Sequence, residues 1–273
     1  MEIKIQNLVK KYGKNTVLDI PELTIGSGEL VGLVGNNGAG KTTLMRLMLD
    51  LIEATEGTVE NDGRFVAEDA QWKQYTGSFI DGRFLIDFYT PEEYFAFIAR
   101  VYGIDKATLD SRLEHYQNLM HNEILGTKKY LREFSEGNRQ KIGIIGAMLI
   151  NPKLLILDEP FNYLDPSSQI VVARLIKQMN EEHGTTVLIS SHNLSFVADI
   201  STRVLLSNAD ISSKTSQTTS GRQRQNSTII SHQRPQRHER QPSPGQHLRP
   251  VTATHNLTTL RPNKLSTCEN CII

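Results

Sequence analysis

The chain opens with two runs in which apolar and polar residues alternate, "MEIKIQNLVKKY" and "NTVLDIPELTI", separated by a Gly-Lys turn. Both read as strands with one face buried. The next run, "GELVGLVG", is apolar without alternation, the pattern of a strand covered on both faces, and it breaks at Gly35 into a glycine-rich loop. "KTTLMRLMLDLI" follows with Leu and Met at helical spacing, and "EGTVEND" reads as a further strand and turn. From about 84 to 150 the pattern becomes helical. In "TPEEYFAFIARVYG", Thr90 stands where a cap belongs, Pro91 takes the first helical position and acids fill the first turn. "KATLDSRLEHYQNLM" reads as one further amphipathic helix. Two buried-strand patterns, "PKLLILDEP" and "TTVLISSH", then flank the helical "SSQIVVARLIKQMNEEHG", which Gly184 should stop. Strand, helix, strand in that order predicts a parallel sheet.

Past residue 206 the periodicity ends, and charge marks the same boundary. Residues 1–206 carry 21 Lys and Arg against 27 Asp and Glu, whereas 207–273 carry 9 against 3, so the formal net charge of zero is two opposite segments cancelling. The second segment is rich in Ser, Thr, Gln, Arg, His and Pro. It has too little apolar area to offset its ordering entropy, and is expected to be disordered or the product of a reading-frame change. Both cysteines, Cys268 and Cys271, lie there; their C-x-x-C spacing gives only two of the four ligands a structural zinc site needs, so no such site is expected. The cysteine-free first segment suits a reducing compartment. No signal peptide is expected at the start, and no apolar run reaches the roughly 18–20 residues of a membrane helix.

Chemistry concentrates at the ends of the buried strands. Gly35, Asn36, Asn37, Gly38, Ala39, Gly40, Lys41, Thr42 and Thr43 spell G-x-x-x-x-G-K-[ST] and one residue more, between a buried strand and a helix. Glycines let backbone N–H groups turn inward around phosphate oxygens, and the helix presents its positive end to them. Lys41 adds a point charge, and the Thr42 hydroxyl is a ligand for Mg²⁺. A plain glycine turn would not need that strand-loop-helix context. Asp158 ends "LLIL" and brings a carboxylate to the same sheet edge, with Glu159 next to it placed to polarise an attacking water. His192 ends "TTVLISS" at that edge too. Standing alone, such a histidine is more often structural, and the acid pair has an ordinary helix cap as its lesser alternative.

Together these residues resemble the nucleotide-binding subunit of the ATP-binding cassette (ABC) transporters, over about residues 1–206. Beyond the Walker A (35–42) and Walker B (154–159) elements, the family's adenine-stacking aromatic falls on Tyr12 and its D-loop aspartate on Asp165. Its signature falls on "FSEGN", keeping Ser135 and Gly137 as the γ-phosphate contacts. Glu136 and Asn138 stand where Gly and Gln are usual. The Q-loop position falls on Asp81, a shorter side chain than the usual Gln, as a further candidate toward the metal.

The resemblance implies an α/β fold of the P-loop NTPase class. It has a RecA-like parallel sheet core, N-terminal antiparallel strands and a helical subdomain inserted at about 84–150. It implies an ATPase that uses ATP and Mg²⁺, with Glu159 and His192 catalytic and with Thr42 and Asp158 at the metal. Two such domains would pair as a homodimer or heterodimer, each signature completing the other's site. They would drive integral membrane transporter subunits, most readily for export, from a cytoplasmic position peripheral to the inner face of the cell membrane. Nucleic acid is not an expected partner. The alternative is a soluble cassette acting on the ribosome or DNA. Against it, there is one Walker A, and Lys41 and Asp158 are 117 positions apart with no sustained heptads between them.

Overall fold

The computed structural model describes residues 1–208 and 227–231. β1 (Ile3–Tyr12) and β2 (Asn15–Ile25) form an antiparallel hairpin whose turn uses Gly13 at positive φ. Pro21 is accommodated because β2 is an edge strand, where a missing N–H donor does no harm. β3 (Leu30–Gly35) runs into α1 (Lys41–Met48). β4 (Glu56–Asn61) returns to pair antiparallel with β1, and β5 (Arg64–Phe65) lies outside it. β6 (Thr76–Phe79) precedes the helices α2 (Pro91–Val101), α3 (Lys106–His115), α4 (Gln117–Met120) and α5 (Glu136–Met148). The chain continues through β7 (Leu154–Leu157), α6 (Pro166–His183), β8 (Thr186–Ser191), α7 (Leu194–Ile200), β9 (Arg203–Asn208) and β10 (Ser227–Ser231).

Two sheets result. One is antiparallel, in the order β2-β1-β4-β5; the other is parallel throughout, in the order β10-β9-β3-β8-β7-β6. In the parallel sheet β3 is internal, with Gly32 opposite Ile189 on one side and Val204 on the other. The period of two divides its side chains between two cores. Leu154 and Ile156 of β7, Leu188 of β8 and Val31 and Leu33 of β3 pack with α1 and the antiparallel sheet. Leu155 and Leu157, Val187 and Ile189, and Leu30 and Val34 pack against the helices on the opposite face. Coverage on both faces is why these strands read as unbroken apolar runs.

The helical insertion is anchored by its caps and by close glycine contacts. Thr90 Oγ1 accepts from the Glu93 backbone N–H and Glu93 Oε2 accepts from the Thr90 N–H, a complete capping box ahead of Pro91. α5 lies on β6 so closely that a Cβ on Gly77 would sit 2.0 Å from the Ala147 carbonyl oxygen. A Cβ on Gly143 would sit 2.1 Å from the Phe79 ring.

Four elements differ from the sequence expectation. The helix read over 106–120 is broken at Tyr116, which sits at φ −95°, ψ 5° and turns its ring inward with Leu119 and Met120. β6 gave no periodic signal, being four residues long with Gly and Ser in the middle. β9 runs to Asn208, past the expected boundary at 206, and β10 adds a parallel strand from within the segment 207–273. Apart from these residues that segment, Cys268 and Cys271 included, lies outside the described residues.

Candidate functional site

β3, β7 and β8 are neighbours in a parallel sheet, so their carboxyl ends open on one edge, where ligands of such sheets bind. The loop after β3 lines a cavity of about 230 Å³ with residues Asn37 to Thr43, together with Val17 and Glu159. Its backbone requires glycine: Gly38 has φ +82° and Gly40 φ +80°, and the Ala39 N–H closes a turn on the Asn36 carbonyl at 3.1 Å. Gly35 is needed for a different reason. A Cβ there would meet the Ser207 carbonyl oxygen of β9 at 2.4 Å, and the Ser207 hydroxyl donates to the Ala39 carbonyl at 2.5 Å, bracing the loop from below.

Lys41 starts α1 and is almost fully buried, with Nζ donating to the Gly35 carbonyl at 2.7 Å and the Asn36 carbonyl at 3.3 Å. Its third neighbour is Glu159 Oε1 at 3.3 Å, an ion-pair distance without hydrogen-bond alignment. Asp158, immediately past β7, is fixed on both oxygens. Thr42 donates to Oδ2 at 2.5 Å and the Ser190 hydroxyl donates to Oδ1, while the Asp158 N–H donates to the Phe79 carbonyl at 2.9 Å. Glu159 Oε2 lies 3.0 Å from His192 Nδ1. Thr42 is thus paired with Asp158, and Lys41 and His192 meet through Glu159, at the edge where β3, β7 and β8 end.

The remaining candidates sit elsewhere. Ser135 caps α5, its hydroxyl accepting from the Asn138 N–H at 3.3 Å, and it is exposed. Gly137 permits the first turn of α5 to approach the loop after Glu159, since a Cβ there would meet the Tyr163 carbonyl at 2.7 Å. Neither residue lines the phosphate-loop cavity. Between them in sequence, Glu136 lines a second cleft of about 290 Å³, together with Arg139, Gln140, Asp81, Asp158 and Glu159. Asp81 reaches this cleft, but Arg83 takes both its oxygens, with the backbone N–H on Oδ1 and the guanidinium on Oδ2. That hydrogen bonding, foremost the guanidinium, holds the Asp81 carboxyl below the usual range. The structure therefore joins Asp81 to Arg83 and not to Thr42 and Asp158. Tyr12 is half exposed at the end of β1 with the Lys10 ammonium 5.1 Å from its ring centre, and Val17 rather than Tyr12 lines the cavity.

Three contributors escaped sequence reading: Val17, Ser190 and Gln140. Ser190 and Gln140 carried a faint signal, each being a polar residue within or beside an apolar run and buried in the fold.

No group of three or more His, Cys, Asp or Glu suited to a metal occurs among the described residues. Thr42 and Asp158 together offer two hard oxygen donors, which fits Mg²⁺, an ion that keeps waters and substrate phosphates as its other ligands. None of the described helices is long and apolar enough to cross a membrane.

Comparison with known proteins places this site in a family. The family model for ABC transporters matches residues 18–162. The bacitracin transport ATP-binding protein BcrA of Enterococcus faecalis is 36% identical over 200 residues, covering 72% of this chain. The chain spans only 63% of the length of that relative. The lantibiotic transport ATP-binding protein SrtF of Streptococcus pyogenes is 34% identical over 201 residues, 71% of this chain and 82% of that protein. A solved structure described as the ATP binding subunit of an ABC transporter superposes with a TM-score of 0.69 at 26% identity, covering 76% of this chain and 85% of that one. With a phosphate loop, an acidic strand end and a strand-end histidine converging on one edge of a parallel sheet, and with these similarities, the chain belongs to the ABC transporter family.

Proposed function

We propose that this chain binds ATP on the loop 35–43 and hydrolyses it, as the energy-supplying subunit of an exporter whose membrane-spanning subunits are separate chains. The observation that carries the reading is that the bonded pair Thr42–Asp158 and the chain Lys41–Glu159–His192 lie side by side at one sheet edge. The backbone N–H groups of 38–43 and the Lys41 ammonium bind the β- and γ-phosphates. Thr42 and Asp158 would hold Mg²⁺, which when bound supplies neutralisation of the charge on those phosphates. Glu159 orients the attacking water and accepts its proton, and His192, held by Glu159, faces the γ-phosphate. Phosphoryl transfer asks for positioning and charge compensation, which these side chains provide.

Ser135 and Gly137 lie away from the phosphate loop of their own chain, which supports their serving the nucleotide of a second nucleotide-binding domain. A homodimer or heterodimer of such domains then closes on two ATP molecules and reopens after hydrolysis. The printed names of BcrA and SrtF support transport, and with it a cytoplasmic position against the membrane partner; they give no support to a ribosomal or DNA-bound role. The test is phosphate release by the purified chain in Mg-ATP beside Lys41→Ala. The wild type should turn over and stabilise on ATP addition, and the variant should do neither. Equal behaviour of the two would overturn the assignment.

A further inference from the structure

Glu159 occupies the left-handed backbone region at φ +47°, which side-chain-bearing residues rarely adopt. Its peptide is held from two elements. The Ser190 hydroxyl of β8 accepts the Glu159 N–H at 2.8 Å, and Gln140 Nε2 of α5 donates to the Glu159 carbonyl at 3.0 Å. The Asn162 N–H donates to that same carbonyl at 3.1 Å, closing the turn locally. Gln140 is 8% exposed, so its amide is committed to this contact and not to solvent. One residue earlier, Arg139 ties α5 to the segment before α2, donating to the Gly82 carbonyl at 2.9 Å and to Asp87 at 2.9 Å. A displacement of α5 relative to β7 therefore reaches the Glu159 backbone through Gln140, and through it the carboxylate that lies between Lys41 and His192.

We infer that Gln140 is a positioning residue for Glu159: it makes the aim of the Glu159 carboxylate depend on where α5 sits. This rests on the reading above, in which Glu159 activates the attacking water. The Gln140 side chain does not line the phosphate-loop cavity and its one hydrogen bond among the described residues goes to the Glu159 carbonyl, so its loss should slow the chemical step and leave nucleotide binding intact. A misplacement of about 1 Å at a catalytic group lowers rates by up to about 100-fold.

The experiment compares wild type with Gln140→Met, which preserves volume without the donor, and with Gln140→Ala. Steady-state phosphate release gives kcat and KM for ATP, and thermal unfolding with and without Mg-ATP gives binding. The inference expects kcat to fall about 10- to 100-fold in both variants, with KM and the ATP-induced rise in Tm unchanged. A Gln140 that only packs predicts the opposite, a lower Tm in the absence of ATP with kcat per folded molecule as in the wild type, and that result overturns the inference. Active wild type with Gln140→Met within twofold of it also overturns the inference alone. An inactive wild type overturns the hydrolysis reading and this inference with it.

Discussion

Replacing Gly77 by Ala tests whether the floor under α5 sets both stability and catalysis. The added Cβ would lie 2.0 Å from the Ala147 carbonyl oxygen, and that neighbour is backbone, so no side-chain rotation relieves it. Real contacts of this kind do not fall below 3.0 Å, so α5 must retreat by about 1 Å. Overpacking of a close-packed interior costs about 3 kcal/mol at the upper end of its usual range. The alanine recovers up to about 1 kcal/mol through the reduced entropy of the unfolded chain, because Gly77 is not at positive φ. The net loss is about 2 kcal/mol, which for a domain of this size lowers Tm by about 4–8 °C. The same retreat stretches the Gln140–Glu159 bond from 3.0 Å beyond hydrogen-bond range, so kcat should fall as well. Thermal unfolding followed by circular dichroism, with phosphate release measured at 20 °C, reads both effects. A Tm within a degree of wild type would refute the reasoning, since it would mean that α5 is free to move off β6 at no cost.

Thr90→Ala removes the capping box of α2 and should lower stability by about 1 kcal/mol, read as a shift in the urea midpoint with an unchanged slope. Asp165 caps α6, and the Ser167 hydroxyl, followed by the hydroxyl and N–H of Ser168, holds its carboxyl well below the usual range. A depressed folded pKa stabilises above the unfolded value of about 4 and is lost as pH falls through the folded one. The Tm advantage of wild type over Asp165→Asn should therefore be present at pH 7 and shrink below about pH 4; a constant difference down to pH 3 would count against that ionisation. Ser207→Ala removes the donor to the Ala39 carbonyl and should weaken ATP binding several-fold, measured by titrating the ATP-induced rise in Tm.

The parts of this molecule that announced themselves did so because local chemistry and tertiary demand coincide. A strand buried on both faces must be apolar throughout, so β3, β7 and β8 were visible, and with them the residues at their carboxyl ends. Thr90, Pro91 and Glu93 mark a helix start by local hydrogen bonding alone, and Gly184 marks a stop by its left-handed φ of 65°. What stayed hidden depends on contacts between distant segments. Thr76–Phe79 is a strand because Ala147 and Leu154–Leu157 lie beside it, and no four-residue pattern contains that information. Gln140 and Ser190 looked like polar interruptions of apolar runs, and their role exists only where α5 and β8 meet the turn at Glu159. Asp81 shows the converse: the motif order put it forward as a metal candidate, but that order says nothing of the Arg83 guanidinium that takes its carboxylate.

The central claim is that Glu159 performs chemistry in a site that binds ATP through other residues, and Glu159→Gln isolates it. The substitution keeps the side chain's size while removing the charge that faces Lys41 and the carboxylate proposed to activate the water. Phosphate release should fall by at least about 100-fold. ATP should still raise Tm, and the ATP-bound variant should run as a dimer in light scattering, held closed because hydrolysis no longer reopens it. Phosphate release at the wild-type rate from Glu159→Gln would contradict the account.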